Sequence, residues 1–101
     1  MSVAGKWDLI ITTPIGKQAV VLNLRETPAG LSGTAIGRAE SVPLLDLMQE
    51  GDRLTWRQSI TKPLRLNLVF DVTIAGDTLS GTSKAGRLPS STVTGTRIAH
   101  D

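Results

Sequence analysis

Leu64-Arg65-Leu66-Asn67-Leu68-Val69-Phe70-Asp71-Val72-Thr73-Ile74 is the clearest alternation in this chain. A period of two puts Leu64, Leu66, Leu68, Phe70, Val72 and Ile74 on one face. Arg65, Asn67, Asp71 and Thr73 mostly fill the other, which is the pattern of a half-buried β-strand. The same period recurs on either side, in Trp7, Leu9 and Ile11, in Val20, Leu22 and Leu24, and in Leu54, Trp56, Gln58 and Ile60. No segment carries the 3.6-residue period of an amphipathic helix.

Turn chemistry separates these runs at short intervals: Pro14-Ile15-Gly16, Thr27-Pro28-Ala29-Gly30, Glu50-Gly51-Asp52, Thr61-Lys62-Pro63 and Ala75-Gly76-Asp77. Glycine admits positive φ, and proline presets a turn while refusing to continue a ladder. The spacing predicts about eight strands, near residues 3–13, 16–25, 30–37, 41–49, 53–61, 64–74, 77–84 and 91–99. Antiparallel strands with connections this short close most economically into an up-and-down β-barrel, which leaves no exposed edge. The expectation is an all-β chain with one barrel domain over residues 1–101.

Composition narrows the function. At 101 residues the chain suits one core, with little surplus. Cysteine is absent, which removes disulfides, thiol nucleophiles and thiolate metal sites, and fits a reducing, cytoplasmic setting. No charged-then-apolar leader opens the chain, and no apolar stretch approaches the ~20 residues of a membrane helix. Eleven Lys plus Arg oppose nine Asp plus Glu for a net charge of +2. The cations are scattered, and the only aromatics are Trp7, Trp56 and Phe70. Nucleic-acid binders cluster their basic residues or interleave them with stacking aromatics, so nucleic acid is not the expected partner.

The two ends of the chain carry a further signal. Gly5-Lys6-Trp7 falls on the first strand and Gly95-Thr96-Arg97 on the last. This resembles the closure of calycin-type barrels, the superfamily of lipocalins and fatty-acid-binding proteins, in which the terminal strands pair and the arginine lies across the indole. Short bacterial barrels with the same beginning and finish look similar too. The resemblance implies a sealed floor made by Gly5, Trp7 and Arg97, and a small apolar or amphipathic molecule held at the open end. An even strand count agrees, because it brings the end of strand eight down beside Trp7. The chain departs from typical lipocalins in its length, its lack of cysteines and its lack of a C-terminal helix, so a large lipid does not fit.

Three similar tetrapeptides, Leu31-Ser32-Gly33-Thr34, Leu79-Ser80-Gly81-Thr82 and Val93-Thr94-Gly95-Thr96, each place a glycine on the same face as the apolar residue two positions earlier. Glycine weakens a strand, so its recurrence points to strong curvature or to something bulky opposite. The filler is Trp7 or Trp56 reaching across, or a ligand; small barrels normally fill themselves, which favours the tryptophans.

The inward positions nearest the open end are mostly apolar with a few polar points, the make-up of a small-molecule site. Trp56, Gln58 and Ser83 are the ligand-contact candidates, with Ile11, Leu66 and Leu68 beside them. Either polar side chain has a structural alternative, a hydrogen bond to a neighbouring strand. Residues 41–49 are ambiguous: Val42, Leu44, Asp46 and Met48 alternate with Pro43, Leu45, Leu47 and Gln49, and a one-residue shift exchanges the faces. With Asp46 inward, its carboxyl would have a raised pKa and serve as an acid or base. With Asp46 outward it is an ordinary surface charge, and Asp is rarely buried without a partner. Ile10, Val21, Ile36, Val69 and Ile98 fall on predicted outer faces, and together with residues 41–49 they suggest a homodimer.

The sole histidine, His100, is penultimate, so no histidine-based triad or metal site forms in the core. Neither Gly37-Arg38 nor Gly81 to Gly86 has phosphate-loop spacing, and the acidic residues lack calcium-loop spacing. No cofactor or metal is expected. The sequence thus leads first to a barrel that binds a compact apolar or amphipathic molecule. A cofactor-free isomerase, hydratase or cyclase using Asp46, and a homodimeric interaction module with a filled core, are the alternatives.

Overall fold

The computed structural model describes residues 4–13, 16–37, 41–60, 65–86 and 88–98. These form β1 Gly5–Thr13, β2 Gly16–Thr27, β3 Gly30–Ile36, β4 Ser41–Pro43, β5 Leu45–Glu50, β6 Arg53–Ile60, β7 Leu66–Ala75, β8 Thr78–Ala85 and β9 Ser91–Arg97. The predicted turn residues Pro14, Ile15, Thr61, Lys62 and Pro63, the start of the quoted run at Leu64, the side chain of Ile60, and Arg38, Arg87 and His100 lie outside the described residues. All the pairings are antiparallel, in the order β4-β3-β2-β1-β9-β8-β7-β6-β5, and the sheet curls into a nearly closed barrel.

Nine strands replace the expected eight because the segment 41–49 is two strands. β4 pairs with β3, through Thr34–Pro43, Ala35–Val42 and Ile36–Ser41. β5 pairs with β6 on the other side. Between them the Leu44 amide donates to the Gly33 carbonyl at 3.0 Å. The chain therefore crosses the barrel seam itself, changing partner as it goes. A register shift between Leu45 and Met48 sets Asp46 and Leu47 against the single residue Trp56. Asp46 adopts φ 52°, a left-handed conformation that Asp tolerates better than most residues, and the extra residue exchanges the faces of the strand. Val42 and Leu44 point in before the bulge and Leu47 is half-buried after it, while Asp46 is exposed. Both apolar sets of the ambiguous segment thus reach the interior in turn.

The core is the inner face of this sheet. Trp7, Leu9, Leu22, Leu24, Leu54, Trp56, Phe70, Val72 and Val93 are fully buried, as their period-two positions require. Trp56 and Phe70, directly opposed on β6 and β7, stack with centroids 4.8 Å apart and planes 6° apart. The repeated glycines are not notches for the tryptophans. A Cβ on Gly33 would meet Leu24 and Leu44, one on Gly95 would meet Leu79 and the Asp8 carbonyl, and one on Gly81 would strike the β7 backbone. Curvature and leucine packing require them.

The two ends of the barrel are built differently. At one end three two-residue turns, Pro28-Ala29, Gly51-Asp52 and Gly76-Asp77, join adjacent strands. Gly51 and Gly76 take φ of +60° and +65° there, which suits the tight hairpin turns that match strand twist. Ala4 and Ile98, the first and last described residues, lie at this same end. At the other, connections of four residues (37–40) and five residues (61–65 and 86–90) accompany the two-residue link at 14–15.

Candidate functional site

The floor is settled by the terminal strands. β1 and β9 pair with Trp7 opposite Arg97. The Arg97 guanidinium carbon stands 4.4 Å from the centroid of the Trp7 ring. Its Nη1 donates to the Ala4 carbonyl at 2.8 Å and its Nε to Asp77 Oδ1 at 3.1 Å. A largely desolvated cation over an indole contributes ~2 kcal/mol. Gly5 is explained by the same contact: it has φ +126°, and a Cβ there would sit 3.2 Å from Arg97 Nη1. Backbone bonds Arg97 N to Asp77 O at 2.8 Å and Ile98 N to Lys6 O at 2.9 Å finish the seal.

At the opposite end the register assembles the other candidates. Trp56 faces Phe70, which faces Ser83; Gln58 faces Leu68, and Ile60 faces Leu66. Ile11 joins this wall through Val93 and Gly81. Five of the six candidates are accounted for by burial in two tiers. Ile11, Gln58 and Ser83 keep 7%, 6% and 5% of their surface accessible, against 0–1% for Val93, Trp56 and Phe70. Leu68, like Leu66 and Val20, is half-buried above them. Solvent access at this end therefore stops at the tier of Ile11, Gln58 and Ser83. Trp56 lies beneath that tier and does not line the mouth as a contact surface.

What Trp56 does is hold Gln58. Its indole Nε1–H donates to Gln58 Oε1 at 2.9 Å, in a buried bond. An indole is a donor only, so the bond fixes which way the amide points. Among the described residues Gln58 and Ser83 are the only buried polar side chains, and no buried side-chain nitrogen or oxygen lacks a partner. Sequence reasoning missed Ser91, which is half-buried opposite Ser83. Its place two residues before Val93, on the same face, was the available signal.

Asp46 is not part of this wall. It is exposed and ion-paired with Arg57 on the outer surface at 2.5 Å, so the inward orientation an acid–base role required is not met. The bulge is the reason: it turns Asp46 out and brings Leu47 in. The outer apolar residues divide, with Ile10, Ile36 and Val69 exposed and Val21 and Ile98 half-buried. The largest exposed apolar side chain on the closing strand is Met48, at 57%. It lines a surface groove of about 150 Å³ with Glu50, Arg53 and Thr55. No group of three or more His, Asp or Glu residues among the described ones is placed to hold a metal, and no described helix is long and apolar enough to cross a membrane.

Compared with protein-family models, curated proteins and solved structures, the chain matches none. The structure shows a nearly closed antiparallel barrel, and no family is assigned to it.

Proposed function

We propose that the protein binds a compact apolar or amphipathic molecule at the open end of its barrel, in the manner of the calycin-like proteins it resembles. One observation carries the reading. The two buried polar side chains of the described core, Gln58 and Ser83, both stand where solvent access ends, at the end with the longer connections and opposite the Trp7–Arg97 seal. The Gln58 carbonyl also answers the Trp56 indole, but the amide NH2 and the Ser83 hydroxyl add polar points to an apolar recess, which is the make-up that orients a small ligand. Half-buried Leu66 and Leu68 supply the apolar wall. The test is native mass spectrometry for a co-purified molecule, followed by an amide NMR titration with a panel of small apolar compounds. Binding should shift Ile11, Gln58, Leu68 and Ser83 and leave Trp7 and Arg97 unmoved. Shifts confined to the floor, or none across the panel, refute the reading.

A second surface supports the homodimer. Exposed Leu45 and Met48 lie on β5, the last strand of the sheet. The bulge at Asp46 discourages edge-to-edge pairing, so self-association proceeds through the outer apolar face. Sedimentation should then show a dimer that Met48→Glu dissociates; a monomer in both removes this reading.

A further inference from the structure

The barrel is joined least firmly along one line. β4 and β5 are the two ends of the sheet. β4 pairs with β3 over three positions, and β5 pairs with β6. Past the β4 ladder, one backbone hydrogen bond ties β3 to this side among the described residues, from the Leu44 amide to the Gly33 carbonyl. Floorward of that bond, Gly30, Leu31 and Ser32 are paired with β2 alone, and Met48, Gln49 and Glu50 with β6 alone. By contrast β9, the strand farthest from both edges, is paired over six positions with β1 and over six with β8.

Burial follows the same line. Val42 and Leu44 keep 8% and 9% of their surface accessible, the most of any core residue, against 0% for Val93 on β9. Leu31 and Leu47, on the inner face to either side of the unpaired stretch, are half-buried against the core. Leu24 lies directly behind the bond, since a Cβ on Gly33 would touch both Leu24 and Leu44. Separating the seam breaks one backbone bond and uncovers leucines that solvent already reaches in part. Separating a wall beside β9 breaks a whole ladder and uncovers fully buried side chains. Local opening is easiest where the fewest bonds and the least buried surface are lost. The register break at Asp46 sits beside Leu44, so the bond can part without unzipping the β5–β6 ladder.

We infer that the seam is a side entrance to the barrel. It opens at the Leu44–Gly33 bond while the rest of the sheet stays folded, and it admits small apolar molecules to the leucines behind it, Leu24, Leu44 and Leu47. This goes beyond the open-end reading and does not depend on it: a barrel that holds nothing beside Gln58 and Ser83 still opens here.

Two readouts test it, with the small neutral thiol reagent N-ethylmaleimide as the molecule that enters. The chain has no cysteine. Leu24→Cys and Val93→Cys therefore each supply a single thiol at a buried position, one behind the seam and one on the wall opposite it. Without denaturant Leu24→Cys should be labelled at least about 100-fold faster than Val93→Cys. The urea midpoint of each variant is measured as well, so that labelling through global unfolding is recognised. In the unaltered protein the Leu44 amide should exchange with solvent ahead of the slowest amides of β1 and β9, at a rate that low urea barely changes. Equal labelling rates in two variants of equal stability overturn the inference. A Leu44 amide that exchanges only with global unfolding overturns it equally, and that measurement decides alone if either variant loses its fold.

Discussion

Alanine in place of Gly95, Gly33 and Gly81 should give three very different proteins, although the three glycines sit in nearly identical tetrapeptides. A Cβ on Gly95 would stand 3.1 Å from the Asp8 carbonyl and from Leu79 Cγ and Cδ1. Comfortable carbon contacts lie near ~3.5–4.0 Å, so the neighbours need yield only a few tenths of an ångström. That strain, about 1 kcal/mol, is offset by the ~0.4–1 kcal/mol gained when glycine's freedom leaves the unfolded chain. On Gly33 the Cβ would be 2.7 Å from Leu24 Cδ2, 2.9 Å from the Asn23 carbonyl and 3.0 Å from Leu44 Cδ1. The leucines can swing but the carbonyl cannot, and the expected net loss is about 1–2 kcal/mol. On Gly81 it would be 2.0 Å from the Asp71 carbonyl and 2.6 Å from Val72 Cα. Both obstacles are backbone, so β7 and β8 must part, and each ladder bond lost costs about 1 kcal/mol on top of the strain. Gly81→Ala should therefore lose about 3 kcal/mol or more, a large part of the ~5–15 kcal/mol that holds a domain together. Urea unfolding followed by tryptophan fluorescence reads the series, with the slope compared to check that the transition stays two-state. The expected order of midpoints is wild type close to Gly95→Ala, then Gly33→Ala, then Gly81→Ala. A Gly81→Ala protein as stable as Gly95→Ala would refute the reasoning.

Arg97→Met keeps the aliphatic stem but removes the contact with Trp7 and the bond to Ala4; it should cost about 2 kcal/mol or more, and an unchanged urea midpoint would contradict that. The Arg53 guanidinium, bonded to Asp71 through Nε at 2.9 Å, holds the Asp71 carboxyl below its ordinary pKa. A lowered folded-state pKa gives stability that is present above the ordinary carboxylate value and lost as pH falls through the folded value. Both side chains are exposed, so the step is small: Asp71→Asn should flatten the acid limb of a stability–pH curve, and an unaltered limb speaks against the pair. Asp46→Gly should be close to neutral, because relief of the left-handed backbone offsets loss of the exposed Arg57 pair. Asp46→Val should lose about 1–2 kcal/mol, and equal thermal midpoints for the two variants would show that the backbone there is unstrained.

The barrel was legible because its signals are local and periodic. Alternation in Leu66 to Ile74 fixes an inner face however the strand is tilted, and Gly51 and Gly76 mark turns that only positive φ can make. Trp7 and Arg97 were legible for another reason: β4 and β5 run the same way, so the nine strands make eight alternating runs, and an even number of runs returns the last to the level of the first. The broken strand was not legible. Val42, Leu44, Leu45 and Leu47 are apolar on both parities, so the hydrophobic pattern permits either register. The choice is made by a left-handed Asp46 and by the Leu44–Gly33 bond, both products of closing the sheet.

Depth in the barrel is where the site reading needed the structure. Period two says that Trp56 and Gln58 point the same way, but not which of them solvent reaches. That is decided across strands. Phe70, directly opposite Trp56, is large enough to stack on the indole and seal it, whereas Leu68, opposite Gln58, is half-buried and leaves that tier open. The indole, sealed by stacking, still has one N–H to place, and the nearest acceptor two residues along its own strand is the Gln58 carbonyl. Burying the aromatic pair thus fixes which way the Gln58 amide points, a consequence of how the core is packed.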